Sequence, residues 1–320
     1  NANGAGGAGG PGGSADGGAG GGDGGAPVAL KGWELDASNV GLARVGLICD
    51  ELPLYDGGTK PAAGTVVSEQ RIESGIDLSN GDIVIERSCI RPASIGAGLP
   101  ILTTTNYDAC TDAGCPVASS MVTIRDCDID GSALDDYESA FSTAFIGVGT
   151  LQRNYIHGMG SGIAIFNSGD SLDATIEGNY VTGLTAYGDP AGDGNHSDGF
   201  TVRDFDTQST PDRRLVVQNN RIDCSSGNDT GAFFIQTYGG DIDQVKIEGN
   251  LLEGGGYQLV LSAGFGNAYG ANMSAVDNRL SGTGYGPGYV ADPPGWAAWE
   301  ENYLHDASQP DAKGEPIDEP

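Results

Sequence analysis

Across 320 residues the chain carries 44 Asp and Glu against 15 Lys and Arg, a formal charge of −29, with 38% hydrophobic residues. So large an acidic excess repels phosphate backbones and anionic lipid surfaces, which excludes nucleic acid as a partner; solubility or recruitment of divalent cations is the simpler use of it. The chain holds no run of 18 apolar residues, so no transmembrane segment is expected, and its length suits one large core.

Fourteen of the first 25 residues are glycine, and they fall in phase. Pairs recur every third residue as Gly6-Gly7, Gly9-Gly10 and Gly12-Gly13, and again as Gly17-Gly18 and Gly20-Gly21. A flexible linker needs no phase, whereas a period of three matches one turn of a polyproline-II helix with bare edges for close packing between chains. Residues 1–27 are therefore expected to form an extended arm that connects subunits. Residues 28–63 should cap and lead into a body spanning 64–305, and 306–320 should lie as an acidic, proline-containing tail over the last coil. The chain opens on Asn rather than Met, as expected of a mature protein that has lost a signal peptide.

Six cysteines, none in zinc-ligand spacing, point to disulfides and so to an oxidising, extracellular compartment. Cys110 and Cys115 flank a turn-rich stretch and are the expected pair; the other connectivities stay open.

The body is written in a repeat of apolar, two residues, Asn, one residue, apolar. It reads Leu151-Gln-Arg-Asn154-Tyr-Ile156, Ile176-Glu-Gly-Asn179-Tyr-Val181 and Val217-Gln-Asn-Asn220-Arg-Ile222, and recurs around Asn250, Asn278 and Asn302. Ser88 and Cys127 occupy the same place in two earlier copies. Successive key positions from Ser88 lie 39, 27, 25, 41, 30, 28 and 24 residues apart, so the shorter intervals make one coil of a β-solenoid and the longer ones carry loops. Roughly eight coils stacked at about 4.8 Å are expected. The asparagines should hydrogen-bond along the stack and adopt the left-handed backbone of a tight bend. On this coil pattern and Asn ladder the chain resembles the pectate-lyase-like superfamily of secreted proteins. The resemblance implies an all-β, right-handed, single-stranded parallel β-helix, here with a glycine-rich N-terminal arm, and does not select an activity.

The 41-residue interval between Asn179 and Asn220 holds the expected chemical site. Asp193, His196, Asp198 and Arg203 gather at one strand edge, with His157 a coil earlier on the same expected face. A hydrolase would use Asp193 and Asp198 as acid and base, and a lyase would use His196 or Arg203 beside a uronate. No cofactor is required, although Asp189, Asp193, Asn195 and Asp198 offer hard oxygens to calcium. Turn chemistry accounts for the same Asp-Gly and Asn runs without any ligand. Asn195, Asn228 and Asn272 begin glycosylation sequons, and Tyr285 and Tyr289 are candidates to stack on sugars.

Two functions follow. The phased arm favours an extracellular structural protein that self-assembles into a fibre through its N-terminus. The alternative is a secreted polysaccharide lyase or glycoside hydrolase acting on an extracellular glycan. Only Lys31, Lys60, Lys246 and Lys313 are present, which leaves a basic groove for uronate chains poorly supplied.

Overall fold

The computed structural model describes residues 29–320 except Ala113; the glycine arm and its ten in-phase glycines lie outside them. The described chain is all-β with three long parallel sheets, the arrangement of a β-solenoid. Each of the first eight coils contributes one strand to each sheet in turn, and the ninth contributes to sheets 1 and 2. Coil 5, for example, runs Ala174–Glu177 in sheet 1, Tyr180–Thr182 in sheet 2 and Ser197–Val202 in sheet 3. Sheet 1 counts nine strands rather than the eight coils expected, because Val67-Ser-Glu-Gln70-Arg-Ile72 is a further copy of the frame with Gln at the key position.

The two apolar places of the repeat are the inward columns of sheets 1 and 2. Leu151, Ile176, Val217 and Ile247 stand in register up sheet 1, and Ile156, Val181, Ile222 and Leu252 do so up sheet 2, all 1% exposed or less. Sheet 3 adds Phe145, Ile163, Phe200 and Phe233, and each such side chain contributes roughly 1.5–3 kcal/mol by leaving water.

Sheets 1 and 2 are joined in every coil by the same two-residue bend. The left-handed residue is the one before the key position, not the asparagine as expected from sequence. From Glu69 through Arg87, Asp126, Arg153 and Gly178 to Glu301, these residues have φ between 48° and 67°. The asparagine is thereby turned inward and buried. Asn179 Oδ1 accepts from both the backbone N–H and the Nδ2 of Asn154, at 3.0 and 2.9 Å, while its own Nδ2 donates to the Leu151 carbonyl. The same set of bonds repeats from Asn179 to Asn220, Asn250, Asn278 and Asn302. Below Asn154 it is continued by the Cys127 backbone, and Ser88 Oγ accepts from the Gln70 N–H.

Residues 29–63 do more than cap one end. They run down the bend edge as a strap, opposite to the direction in which the coils stack. Lys31 pairs with Asp277 in coil 8 at 3.0 Å, Gly32 N–H donates to Gly249 in coil 7, and Leu35 O accepts from Arg221 in coil 6. Gly41 N–H reaches Arg153 in coil 4, Leu42 N–H reaches Asp128 in coil 3, Cys49 is bonded to Cys89 in coil 2, and Pro53 O accepts from Arg71 in coil 1. The approach is close enough that a Cβ on Gly32 would stand 2.2 Å from the Asn220 carbonyl oxygen. At the other end Lys313–Pro316 pairs antiparallel with Tyr303–His305, so the tail closes sheet 2. Cys110 and Cys115 form the second disulfide. The even cysteine count does not extend further, since Cys127 and Cys224 are buried thiols inside the stack. Among the described residues no helix is long and apolar enough to cross a membrane.

Replacing Asn220 with Ala strips two buried donors of Asn179 of their acceptor and removes the bond to Ile176 O. It should lower the unfolding free energy by roughly 2–5 kcal/mol, with urea denaturation as the measurement, whereas exposed Asn272→Ala should change it by less than about 0.5 kcal/mol.

Candidate functional site

Since the bend between sheets 1 and 2 never varies, every insertion falls on one side or the other of sheet 3. Before it stand the segment 131–142, with a short helix Asp136–Ala140, and the loop 183–196. They hold each other: the Tyr137 and Tyr187 rings meet edge-on at 5.3 Å, Ser139 Oγ bonds Thr185 Oγ1, and Asn195 Nδ2 donates to Ala140 O. After sheet 3 come the disulfide-tipped connection 104–121 and the segments 203–214 and 237–244. Arg213 pins this second side, donating to the carbonyls of Ser168, Gly169, Leu172 and Asp206 with its guanidinium 3.8 Å from the Phe205 ring centroid. Two walls therefore flank the outer face of sheet 3.

Between them lies a cleft of about 370 Å³ lined by Thr143, Ser161, Ala164, Phe166, Asp198, Thr201, Arg203 and Tyr238. Asp198 and Arg203, five residues apart, stand at the start of the strand Ser197–Val202 and just past its end. Their side chains meet at 3.0 Å, and Arg203 also donates to Gln236 Oε1 at 2.8 Å. Asp198 is 8% exposed, and its Oδ1 is buried without a hydrogen-bond partner. Burial raises its pKa, which Arg203 and His196 oppose without cancelling. The carboxyl that lines the cleft is thereby biased toward its protonated form, with one oxygen left unsatisfied. No family model, curated protein or solved structure matches this chain.

The other expected site residues separate. His157 ends a sheet 2 strand, 3.5 Å from Asp130 and tilted against Tyr155, on a different face from Asp198. The expectation of a shared face fails because the chain turns a corner between the two sheets. Asp193 and His196 are exposed on the loop 183–196, and neither lines the cleft. The calcium set is also dispersed. Asp189 Oδ1 accepts from Ala191 N–H within its own turn, and Asn195 is consumed as an internal brace, with Oδ1 accepting from Tyr187 N–H and Asn228 Nδ2. Among the described residues no three His, Cys, Asp or Glu side chains converge to hold a metal ion. The sequons divide likewise: Asn195 is buried, Asn228 Nδ2 donates to Tyr187 O, and only Asn272 is exposed, bonded to Asp243.

Sequence reading missed Ser161, Phe166, Gln236 and Tyr238. A signal was available: pairing the strand-like runs on Ile163, Phe200 and Phe233 sets Ser161 and Gln236 one coil below and above the Asp198–Arg203 strand.

Because the folded pKa of Asp198 is raised, the native state holds a proton that the unfolded chain releases near pH 4. Its contribution to stability is therefore greatest below about pH 4 and is lost as pH rises through the raised value. Asp198→Asn, which resembles the protonated carboxyl at every pH, removes that component, so wild type should lose stability relative to the variant as pH rises above about 4; parallel profiles between about pH 4 and 8 would contradict the assignment.

Proposed function

We propose that this chain is a secreted, right-handed parallel β-helix of the pectate-lyase-like kind that binds an extracellular polysaccharide along the outer face of sheet 3. The observation that carries the reading is the placement of all insertions. A solenoid free to lengthen at three corners does so only at the two that border this face, and loops on a rigid scaffold are where binding groups are carried. The Asp198–Arg203–Gln236 group supplies convergent polar atoms in a cleft otherwise lined by Thr, Ser and aromatic side chains, the mixture that recognises a sugar. The two disulfides hint at an extracellular location.

Hydrolysis is the second reading, favoured by the raised pKa of Asp198, which suits a general acid toward a glycosidic oxygen. It needs a second carboxylate, and Asp198 is the one carboxyl lining the cleft. The fibre reading draws less support from the body. Sheet 2 is closed at its first edge by Pro53 and Tyr55, which bond Arg71, and at its last by Lys313–Pro316, so that sheet does not take a further strand end to end. In the binding reading the arm is a tether.

The test is retention on a panel of insoluble and gel-cast polysaccharides, with products assayed for new reducing ends. Wild type should bind at least one polymer. Ala164→Trp, which fills the cleft floor, should weaken binding at least tenfold with its circular dichroism unchanged, and any turnover should vanish in Asp198→Asn. Binding by Ala164→Trp equal to wild type, or none by wild type, overturns the reading.

A further inference from the structure

We infer that the polysaccharide is uncharged and that its chain runs from the Asp198 cleft toward the C-terminal end of the stack, onto a platform of Tyr257, Tyr285 and Tyr289. This rests on the reading of sheet 3 given above. The register fixes the path. Asp198 in coil 5 stands opposite Gly231 in coil 6, and Gly231 opposite Tyr257 in coil 7. Alongside, Thr201, Phe234, Val260 and Tyr289 form one column from coil 5 to coil 8. Where Asp198 and Tyr257 present side chains, Gly231 presents none, which leaves a step between them beside the half-buried Phe234 ring. At about 4.8 Å per coil, Asp198 and Tyr257 are roughly 10 Å apart along the axis, room for about two sugar rings.

The platform is built for a flat partner. The Tyr257 and Tyr289 rings stack at 5.1 Å with planes 25° apart, and Tyr285 packs on Tyr257 at 5.6 Å. Yet Tyr285 is 83% exposed and Tyr289 44%. The protein thus assembles three aromatic rings and leaves their outer surfaces in water. A pyranose offers an apolar C–H face to such rings and keeps its hydroxyls at the rim, within reach of water and of tyrosine O–H groups.

Charge decides the class of sugar. Arg203, the cation of the cleft, is already committed to Asp198 and Gln236. Between it and the platform the column runs through Gly231, the half-buried Phe234 and the buried Val260, and among the described residues of that column there is no cation to receive a carboxylate or sulfate. A polyuronate would meet a protein of charge −29 with no local compensation. An uncharged polymer meets no such barrier.

The experiment is affinity electrophoresis of the full chain in native gels cast with soluble β-glucan, xylan, galactomannan or polygalacturonate. At least one neutral polymer should retard wild type, polygalacturonate should not, and Tyr257→Ala and Tyr289→Ala should each weaken retardation roughly three- to tenfold. Strongest retardation by polygalacturonate overturns the uncharged class. Unchanged retardation of both tyrosine variants, where Ala164→Trp abolishes it, overturns the platform and leaves the sheet 3 reading standing. No retardation by any polymer overturns both.

Discussion

The two-residue bend between sheets 1 and 2 governs this molecule. One left-handed residue turns the next side chain inward, and an asparagine there has two donors and a two-lone-pair acceptor, the inventory needed to satisfy a neighbour above and a carbonyl below. Because each Oδ1 accepts from both the backbone and the side chain of the preceding asparagine, no member can be moved without orphaning its neighbour. The bend accordingly keeps the same length in all nine coils, although the segments around sheet 3 range from three residues to more than a dozen. Fixing one edge confines variation to the opposite face, and that face holds the cleft.

Parallel stacking imposes a second constraint. Equivalent positions in adjacent coils are about 4.8 Å apart, so a repeated acidic residue would face itself along the stack. The outer surface of sheet 1 avoids this by alternation despite the net charge of −29, and where acids do meet, as Asp223 opposite Glu253 in sheet 2 and Asp277 next to Glu301 at the bend, a neighbouring Arg or Lys pairs with one of them. Arg125 bonds Glu86, Arg153 pairs with Asp126, Arg221 pairs with Glu253, and Glu177 lies between Gln152 and Gln218. The strap adds to the same edge. Arg279, fully buried, lies 4.1 Å from the Trp33 ring centroid, donates to the Asp311 carbonyl and pairs with Asp277. One guanidinium thus ties strap, ladder and C-terminal tail together.

What was legible in the sequence is what repeats. The columns through Ile176 and Val181 and the key place at Asn179 sit at constant offsets, because a fixed bend preserves them. The strap carries no period: it is held by backbone groups, by single side-chain contacts such as Lys31 to Asp277, by the Cys49–Cys89 disulfide and by close approach at Gly32 and Gly41, all of which depend on which coils stand beside it. Cysteine parity failed at Cys127 and Cys224 because inward positions of a solenoid accept a thiol as a small apolar group. Asp198 and Arg203 were visible as an unusual loop and strand. Their partners Ser161, Gln236 and Tyr238 come from other coils, and only the register of sheet 3 brings them in; the same register removes His157 to another face.

The central claim is that the ladder edge is the rigid spine and that the segments bordering sheet 3 are the variable, locally opening part. Residue-resolved hydrogen exchange of the intact protein tests it most directly. The amides of Asn154, Asn179, Asn220, Asn250 and Asn278, each donating to the next asparagine's Oδ1, should exchange only through global unfolding, and segments 104–121 and 183–196 should exchange orders of magnitude faster. Ladder amides exchanging as fast as those loops would contradict the account.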